Sequence, residues 1–104
     1  MNHVARAEIG LTEAEKATAE RMADAFADAF ARLLPEARIV GRRWESWPED
    51  AVFLVVDVTV PRPLLDDTQG LIERERRAKA MLRADGVPWS GRMVAEYTQR
   101  IDGA

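Results

Sequence analysis

The sequence contains no cysteine, so disulfides, cysteine nucleophiles and cysteine-ligated metal or iron–sulfur centres are excluded within this chain. A cysteine-free chain fits a reducing compartment, and we expect the protein to be cytoplasmic. Histidine is almost absent too. The single one, His3, falls in a lead-in over residues 1–11 that we expect to be flexible, which argues against a Ser–His–Asp catalytic set.

Glycine-rich loops and long apolar runs are also missing. The six glycines are isolated from one another, so neither the Walker pattern nor the dinucleotide-binding pattern is present, and nucleotide chemistry is not expected. The longest apolar run, around residues 52–56, is far shorter than the ~20 residues that cross a bilayer. The first residues lack the basic and apolar regions of a signal peptide. We therefore expect no cofactor, no metal and no membrane partner.

Size and charge define the class of protein. The 104 residues are 47% apolar and 32% charged, which predicts one globular domain over residues 12–104. The net charge of −3 argues against a general polyanion binder, although it leaves room for a local basic patch.

Residues 12–34 have the pattern of an amphipathic helix. Thr12 and Glu15 stand at the two positions of a capping box, and Pro35 disfavours continuation of the helix. We predict a helix over this range whose core-facing stripe recurs at helical spacing. That stripe consists of Met22, Phe26, Phe30 and Leu33.

The period changes after this helix to that of β-strands. Residues 37–44 predict a first strand, residues 46–50 a turn and residues 51–60 a second strand, which together make an antiparallel hairpin. The second strand is apolar on both faces for most of its length, as is usual for a central strand. One face carries Val52, Leu54, Val56, Val58 and Val60, and the other begins with Phe53 and Val55.

A second helix is predicted from a cap at Asp66 or Asp67 to about Ala84, with Gly86 at its C-terminal end. Its sequence offers two i,i+4 ion pairs, Glu73–Arg77 and Glu75–Lys79. Residues 92–101 fit either a strand or a helix, and we favour a strand because a two-stranded hairpin alone is a weak sheet. The predicted fold class is therefore α+β, in α-β-β-α-β order, with a small, about three-stranded mixed or antiparallel sheet packed on two helices.

Arginine and tryptophan gather around the predicted hairpin turn, at Arg42, Arg43, Trp44 and Trp47. These residue types are enriched in interface hot spots, so we predict that the four residues bind a partner. Trp89 and Tyr97 either extend that surface or close one end of the core. The competing interpretation is that Trp44 packs in the core while the arginines are solvated.

The second helix is a weaker candidate for binding. Four of its basic residues are candidates for contacts with the phosphates of RNA or DNA: Arg74, Arg77, Lys79 and Arg83. Acidic residues are interleaved with them, which favours a solvated face joined by ion pairs. Elsewhere, Asp57, Asp66 and Asp67 suggest a Mg²⁺ site, but helix capping explains the last two without a metal.

Three functions are consistent with the sequence. We favour a small non-enzymatic interaction module, such as a regulator or inhibitor, whose partner is another protein or a second copy of itself in a homodimer. The alternative is a nucleic-acid-binding accessory protein that uses the basic-aromatic hairpin and the basic second helix. The last is a small enzyme whose Asp57 or Tyr97 lies in a pocket between helix and sheet.

Overall fold

Six elements build the fold in the computed structural model, which describes residues 11–47 and 51–99. They are α1 Glu13–Leu33, β1 Arg38–Trp47, β2 Ala51–Val60, α2 Arg62–Leu65, α3 Thr68–Ala84 and β3 Met93–Gln99. The α+β class and the predicted order are confirmed, with α2 added as a single helical turn. The predicted lead-in up to residue 10, the turn residues 48–50 and Ile101 lie outside the described residues. Among the described helices, none combines the length and the apolarity that crossing a membrane requires.

Helix α1 begins at the predicted capping box. The Thr12 hydroxyl accepts a hydrogen bond from the Glu15 amide at 3.1 Å, and the Glu15 carboxylate accepts one from the Thr12 amide at 2.7 Å. The helix ends at Leu33, two residues before Pro35. Its buried residues are Ala19, Met22, Ala23, Phe26, Ala29 and Phe30.

The sheet has the order β1-β2-β3, with β2 in the centre as its doubly apolar sequence predicts. β1 and β2 are antiparallel, whereas β2 and β3 are parallel, so the sheet is mixed. The last segment is therefore a strand, and the helical alternative for it is wrong. β1 continues to Trp47, which pairs with Ala51, so Ser46 and Trp47 belong to the strand and not to the predicted turn.

The two faces of the sheet have different surroundings. Helices α1 and α3 pack on the face that carries Leu54 and Val58, and the buried side chains of both helices form one core cluster with these residues. β3 adds Met93 to this cluster, and Tyr97 packs against it. The opposite face, which we call the open face, has no described helix packed on it and carries charged side chains such as Arg43.

Helix α2 follows directly from the residues that end β2. Pro61, Arg62 and Pro63 interrupt the strand as expected, but proline is also well tolerated in the first turn of a helix, where its missing N–H is not needed. The amides of Leu64 and Leu65 both donate to the Pro61 carbonyl at 3.0 Å. Both leucines pack against the core cluster, which explains why this turn forms.

The end of α3 depends on a glycine. Gly86 has a φ of 74°, and the Val87 amide donates to the Leu82 carbonyl at 3.0 Å, which is the pattern of a Schellman motif. We expect Gly86→Ala to lower the free energy of unfolding, measured by urea denaturation, by about 1 kcal/mol, because a Cβ is strained in this left-handed conformation. Gly91→Ala is the control, since a Cβ there meets no atom within 4 Å. An equal loss in both variants would contradict this account of the helix end.

Candidate functional site

Exposed aromatic side chains gather at one end of the molecule, where the hairpin, the loop before β3 and the first turns of α1 meet. The rings of Trp47 and Phe53 pack with their centroids 4.3 Å apart, and the Arg92 guanidinium lies 5.6 Å from the Phe53 centroid. The Arg83 guanidinium lies 4.1 Å from the centroid of the Trp89 ring. Trp47 and Trp89 remain 39% and 41% exposed. We call these five residues the tryptophan surface.

A surface cavity of about 460 Å³ connects the two parts of the tryptophan surface. Phe53, Trp89 and Arg92 line it on one side, and Ala14 and Thr18 of α1 line it on another. The remaining lining residues are Glu15, Ser90 and Gly91. The lining combines apolar and polar groups, and the volume falls in the range of binding pockets, which measure about 300–1,000 Å³. The cavity has room for a large side chain of a partner.

Hydrogen bonds hold the loop that carries Trp89. The Ser90 amide donates to the Met22 sulfur at 3.3 Å, and the Ser90 hydroxyl accepts from the Arg92 amide at 3.0 Å. The Arg92 carbonyl accepts from the Leu54 amide at 2.7 Å, which ties the loop to the central strand. The cavity wall is therefore preformed, and binding there loses less conformational entropy than binding to a free loop.

Arg42 and Trp44 face α1. The Arg42 guanidinium pairs with Asp24 at 2.8 Å and with Glu20 at 3.4 Å, and the Trp44 indole N–H donates to the Glu20 carboxylate at 3.2 Å. Trp44 is half-buried and packs against the core cluster. Both side chains thus fasten β1 to α1.

Arg43 lies on the open face and pairs with one carboxylate from each strand. Its guanidinium pairs with Asp57 of β2, with Glu96 of β3 at 3.1 Å and with Glu45 of β1 at 3.2 Å. The hydrogen bonds with Asp57 and then Glu96 raise the pKa of Arg43 above its ordinary value. The Trp47 indole N–H donates to the Glu45 carboxylate at 2.5 Å. This hydrogen bond, followed by the one from Arg43, lowers the pKa of Glu45 below its ordinary value. Glu45 therefore stays ionised and orients the Trp47 ring.

Strand alternation separates the four residues that the sequence predicts to bind a partner. Arg42 and Trp44 are on the helix side of the sheet, and Arg43 and Trp47 are on the open face. Only Trp47 belongs to the tryptophan surface. The other three make contacts within the molecule that account for their positions.

Two members of the tryptophan surface, Phe53 and Arg92, carry no local sequence signal of a binding site. Phe53 looked like an ordinary residue of the second face of β2, and Arg92 looked like the start of a strand. Their proximity depends on the parallel register that pairs Leu54 with Met93, which no local sequence pattern reveals. For Trp89, by contrast, the sequence leaves open an extension of the hairpin surface or a place at one end of the core, and the residue lies on the same cavity as Phe53.

The basic residues of α3 lie in three different places. Arg74 and Arg77 line a second surface cavity of about 420 Å³, next to Leu33 at the other end of α1. Lys79 pairs with Glu75 at 2.9 Å, as predicted, while the predicted Glu73–Arg77 pair is not formed among the described residues. Arg83 belongs to the tryptophan surface. A single phosphate-binding face on this helix would have to leave out Lys79 and Arg83.

The carboxylates predicted as a possible metal site are dispersed. Asp67 caps α3 by accepting from the Gly70 amide at 3.0 Å, and Asp66 lies 3.4 Å from the Arg62 guanidinium. Asp57 is occupied by Arg43 on the open face. Within residues 11–47 and 51–99, no group of three or more histidine, cysteine or acidic residues is arranged to hold a metal ion.

Tyr97 and Asp57 do not share a pocket, because they lie on opposite faces of the sheet. The Tyr97 hydroxyl donates to the Glu75 carboxylate at 2.6 Å, and Glu75 also accepts from Lys79. Burial first, and then this hydrogen bond, raise the pKa of Tyr97 above its ordinary value. The phenol therefore stays protonated at neutral pH and is not available as a general base.

The titration of Tyr97 provides a test of this contact. Because burial and the hydrogen bond with Glu75 raise the folded pKa of Tyr97, the protonated phenol contributes stability that is complete below about pH 10 and is lost as pH rises further, where the unfolded chain ionises. Tyr97 is the only tyrosine, so the absorbance of tyrosinate reports on it alone. We expect no ionisation near pH 10 while the chain is folded, and a smaller alkaline loss of stability in Tyr97→Phe. Reversible ionisation near pH 10 in the folded protein would contradict the contact.

In comparisons with known proteins, no family model matches the chain, and neither a curated protein nor a solved structure matches it significantly. The most distinctive feature of the molecule is the tryptophan surface, because it combines exposed indoles, stacked guanidinium groups and a preformed cavity.

Proposed function

We propose that this protein is a small interaction module without catalytic activity, which binds another protein through the tryptophan surface and acts as a regulator or inhibitor. The observation that supports this proposal is the pair of exposed tryptophans: Trp89 lines the preformed cavity, and Trp47 packs on Phe53, which also lines it. Tryptophan and arginine are enriched among the hot-spot residues of protein interfaces, and hot-spot residues cluster in well-packed pockets. Exposed large apolar groups at a cavity are typical of an interaction site.

The contrast between the tryptophans supports the same proposal. The Trp44 indole packs against the core and bonds to Glu20, so its place in the fold is explained by stability. Trp89 has no indole hydrogen bond among the described residues, and its main contact is the stacked Arg83. A partner that covers Trp89 would remove from water an apolar area that folding leaves exposed.

Affinity capture tests the proposal. Wild-type protein, Trp47→Ala and Trp89→Ala are immobilised and exposed to a lysate of the source cells. Ile72→Ala is the matched control, because Ile72 is 43% exposed on α3 and does not line the cavity. We expect a protein that is retained by wild type and by Ile72→Ala but lost from both tryptophan variants. Equal retention by all four proteins would contradict the proposal.

Nucleic-acid binding is the second candidate, and one observation favours it. The two guanidinium–ring stacks, Arg83 with Trp89 and Arg92 with Phe53, resemble platforms on which bases stack. The net charge of −3 and the presence of Glu15 in the cavity wall weigh against a polyanion. Titration of single-stranded RNA and DNA at increasing salt distinguishes the two functions, because phosphate contacts weaken steeply as salt rises.

The proposal extends to the setting and the assembly of the protein. A cysteine-free chain is compatible with the cytoplasm, which we propose as its compartment. β1 and β3 form the two edges of the sheet, and unpaired edges favour pairing with a second copy. Light scattering tests this last point, since a dimer mass supports self-association and a monomer mass at high concentration removes it.

A further inference from the structure

We infer that the segment of the partner that docks on the tryptophan surface carries an aspartate or glutamate next to a large apolar residue. The carboxylate pairs with Arg92 or Arg83, and the apolar side chain enters the cavity between Phe53 and Trp89. This inference rests on the proposed function and specifies the chemistry of its partner.

The state of the two arginines provides the first argument. Arg42 and Arg43 each pair with acidic residues of this chain, whereas Arg83 and Arg92 have no carboxylate within ion-pair distance among the described residues. Instead, each guanidinium lies over an aromatic ring, which orders the side chain, and no residue within 11–47 and 51–99 accepts a hydrogen bond from it. A stacked guanidinium can still bind a carboxylate with two parallel hydrogen bonds.

The lining of the cavity provides the second argument. Ala14, Thr18, Phe53 and Trp89 offer it methyl groups and ring surfaces, which suit an apolar side chain. The Glu15 carboxylate also lines the cavity. It accepts a hydrogen bond from the Thr12 amide in the capping box, so one of its oxygens is already engaged within the chain. The cavity thus combines the apolar surfaces of Ala14, Phe53 and Trp89 with the cationic Arg92 in its wall, and Arg83 lies beside it on the Trp89 ring.

Charge decides between a carboxylate and a chain of phosphates. Glu15 lines the cavity and Glu45 bonds to Trp47, so negative charge lies at the border of the surface on two sides. A polyanion needs several phosphate contacts, each of which would bring further negative charge near these groups. One carboxylate needs only one of the two stacked arginines. An acidic and apolar peptide segment is therefore the better fit.

A random peptide library displayed on phage tests the inference. Phage are selected on the full-length wild-type protein after depletion on Trp89→Ala, and recovered peptides are synthesised with and without Asp→Asn and Glu→Gln changes. Fluorescence polarisation then measures their affinity for wild type, Arg92→Gln and Arg83→Gln. Arg38→Gln is the matched control, because Arg38 is an exposed arginine outside the tryptophan surface.

We expect recovered peptides to be enriched in acidic residues beside aromatic or large aliphatic ones. Neutralising the acid, or changing the arginine it pairs with, should weaken binding about tenfold or more, while Arg38→Gln should leave it unchanged. If the recovered peptides require Trp89 for binding but are not enriched in acidic residues, this inference is overturned and the proposed function stays intact. The inference would also be overturned if the selection recovers no peptide that depends on Trp89. The same holds if the protein binds polyuridylate through Arg92 and binds no peptide. The proposed function itself fails if affinity capture is indifferent to Trp47 and Trp89.

Discussion

Replacing Phe30 with alanine will lower the free energy of unfolding by about 3–5 kcal/mol. Phe30 is 0% exposed, stacks on Phe26 with centroids 5.4 Å apart and lies 5.8 Å from the ring of Tyr97 on β3. Truncation therefore opens a cavity where α1 meets the sheet. Since domains of this size are stable by only about 5–15 kcal/mol, the variant should be partly unfolded at moderate temperature. Urea denaturation followed by tryptophan fluorescence measures the change.

Phe53→Ala is the matched control for that prediction. Phe53 is the same residue type, but it lies on the open face, only half-buried, against the Trp47 ring. We expect a loss of about 1 kcal/mol, the value of one aromatic pair. Equal losses in the two variants would mean that the core does not lie on the helix side of the sheet.

Replacing Trp89 with alanine will weaken binding of the captured partner by about 30-fold, because a hot-spot tryptophan contributes about 2 kcal/mol or more. The stability of the protein should change little, since Trp89 is 41% exposed and lies in a loop. Isothermal titration calorimetry measures the affinity, and urea denaturation checks the fold. Trp47→Ala should behave in the same way.

Two other substitutions define what would contradict this second prediction. Ile72→Ala removes a similarly exposed apolar side chain from α3 and should leave affinity unchanged. Trp44→Ala should lower stability, because this indole packs against the core and bonds to Glu20. If affinity instead depends on Ile72 while Trp89→Ala binds normally, the partner docks elsewhere.

The elements could be predicted from the sequence because each has a local signal. The capping box at Thr12 and the proline at Pro35 bound α1, and both act within one turn of the chain. The doubly apolar sequence of β2 reflects its central position. The last strand has a weaker local signal, because Met93 and Tyr97 fit the spacing of a strand and also that of a helix. The β-favouring residues Val94, Tyr97 and Thr98, and the weakness of a two-stranded hairpin without a third strand, favour the strand.

The site could not be predicted in the same way, because its contacts are distant in sequence. Arg42, Arg43 and Trp44 are neighbours along the chain, yet a strand points successive side chains to opposite faces. The carboxylate that bonds to Trp44 belongs to Glu20 on α1, and those that pair with Arg43 come from all three strands. Which arginine is engaged by the fold and which is available to a partner depends on these tertiary contacts.

The three indole N–H signals in a ¹H–¹⁵N correlation spectrum test the central claim most directly. The chain has three tryptophans, and single substitutions assign each signal. On addition of the captured protein or of a selected peptide, the signals of Trp47 and Trp89 should shift or broaden, while that of Trp44 stays in place. Movement of Trp44 with both other signals unchanged would show that the tryptophan surface is not where this protein binds.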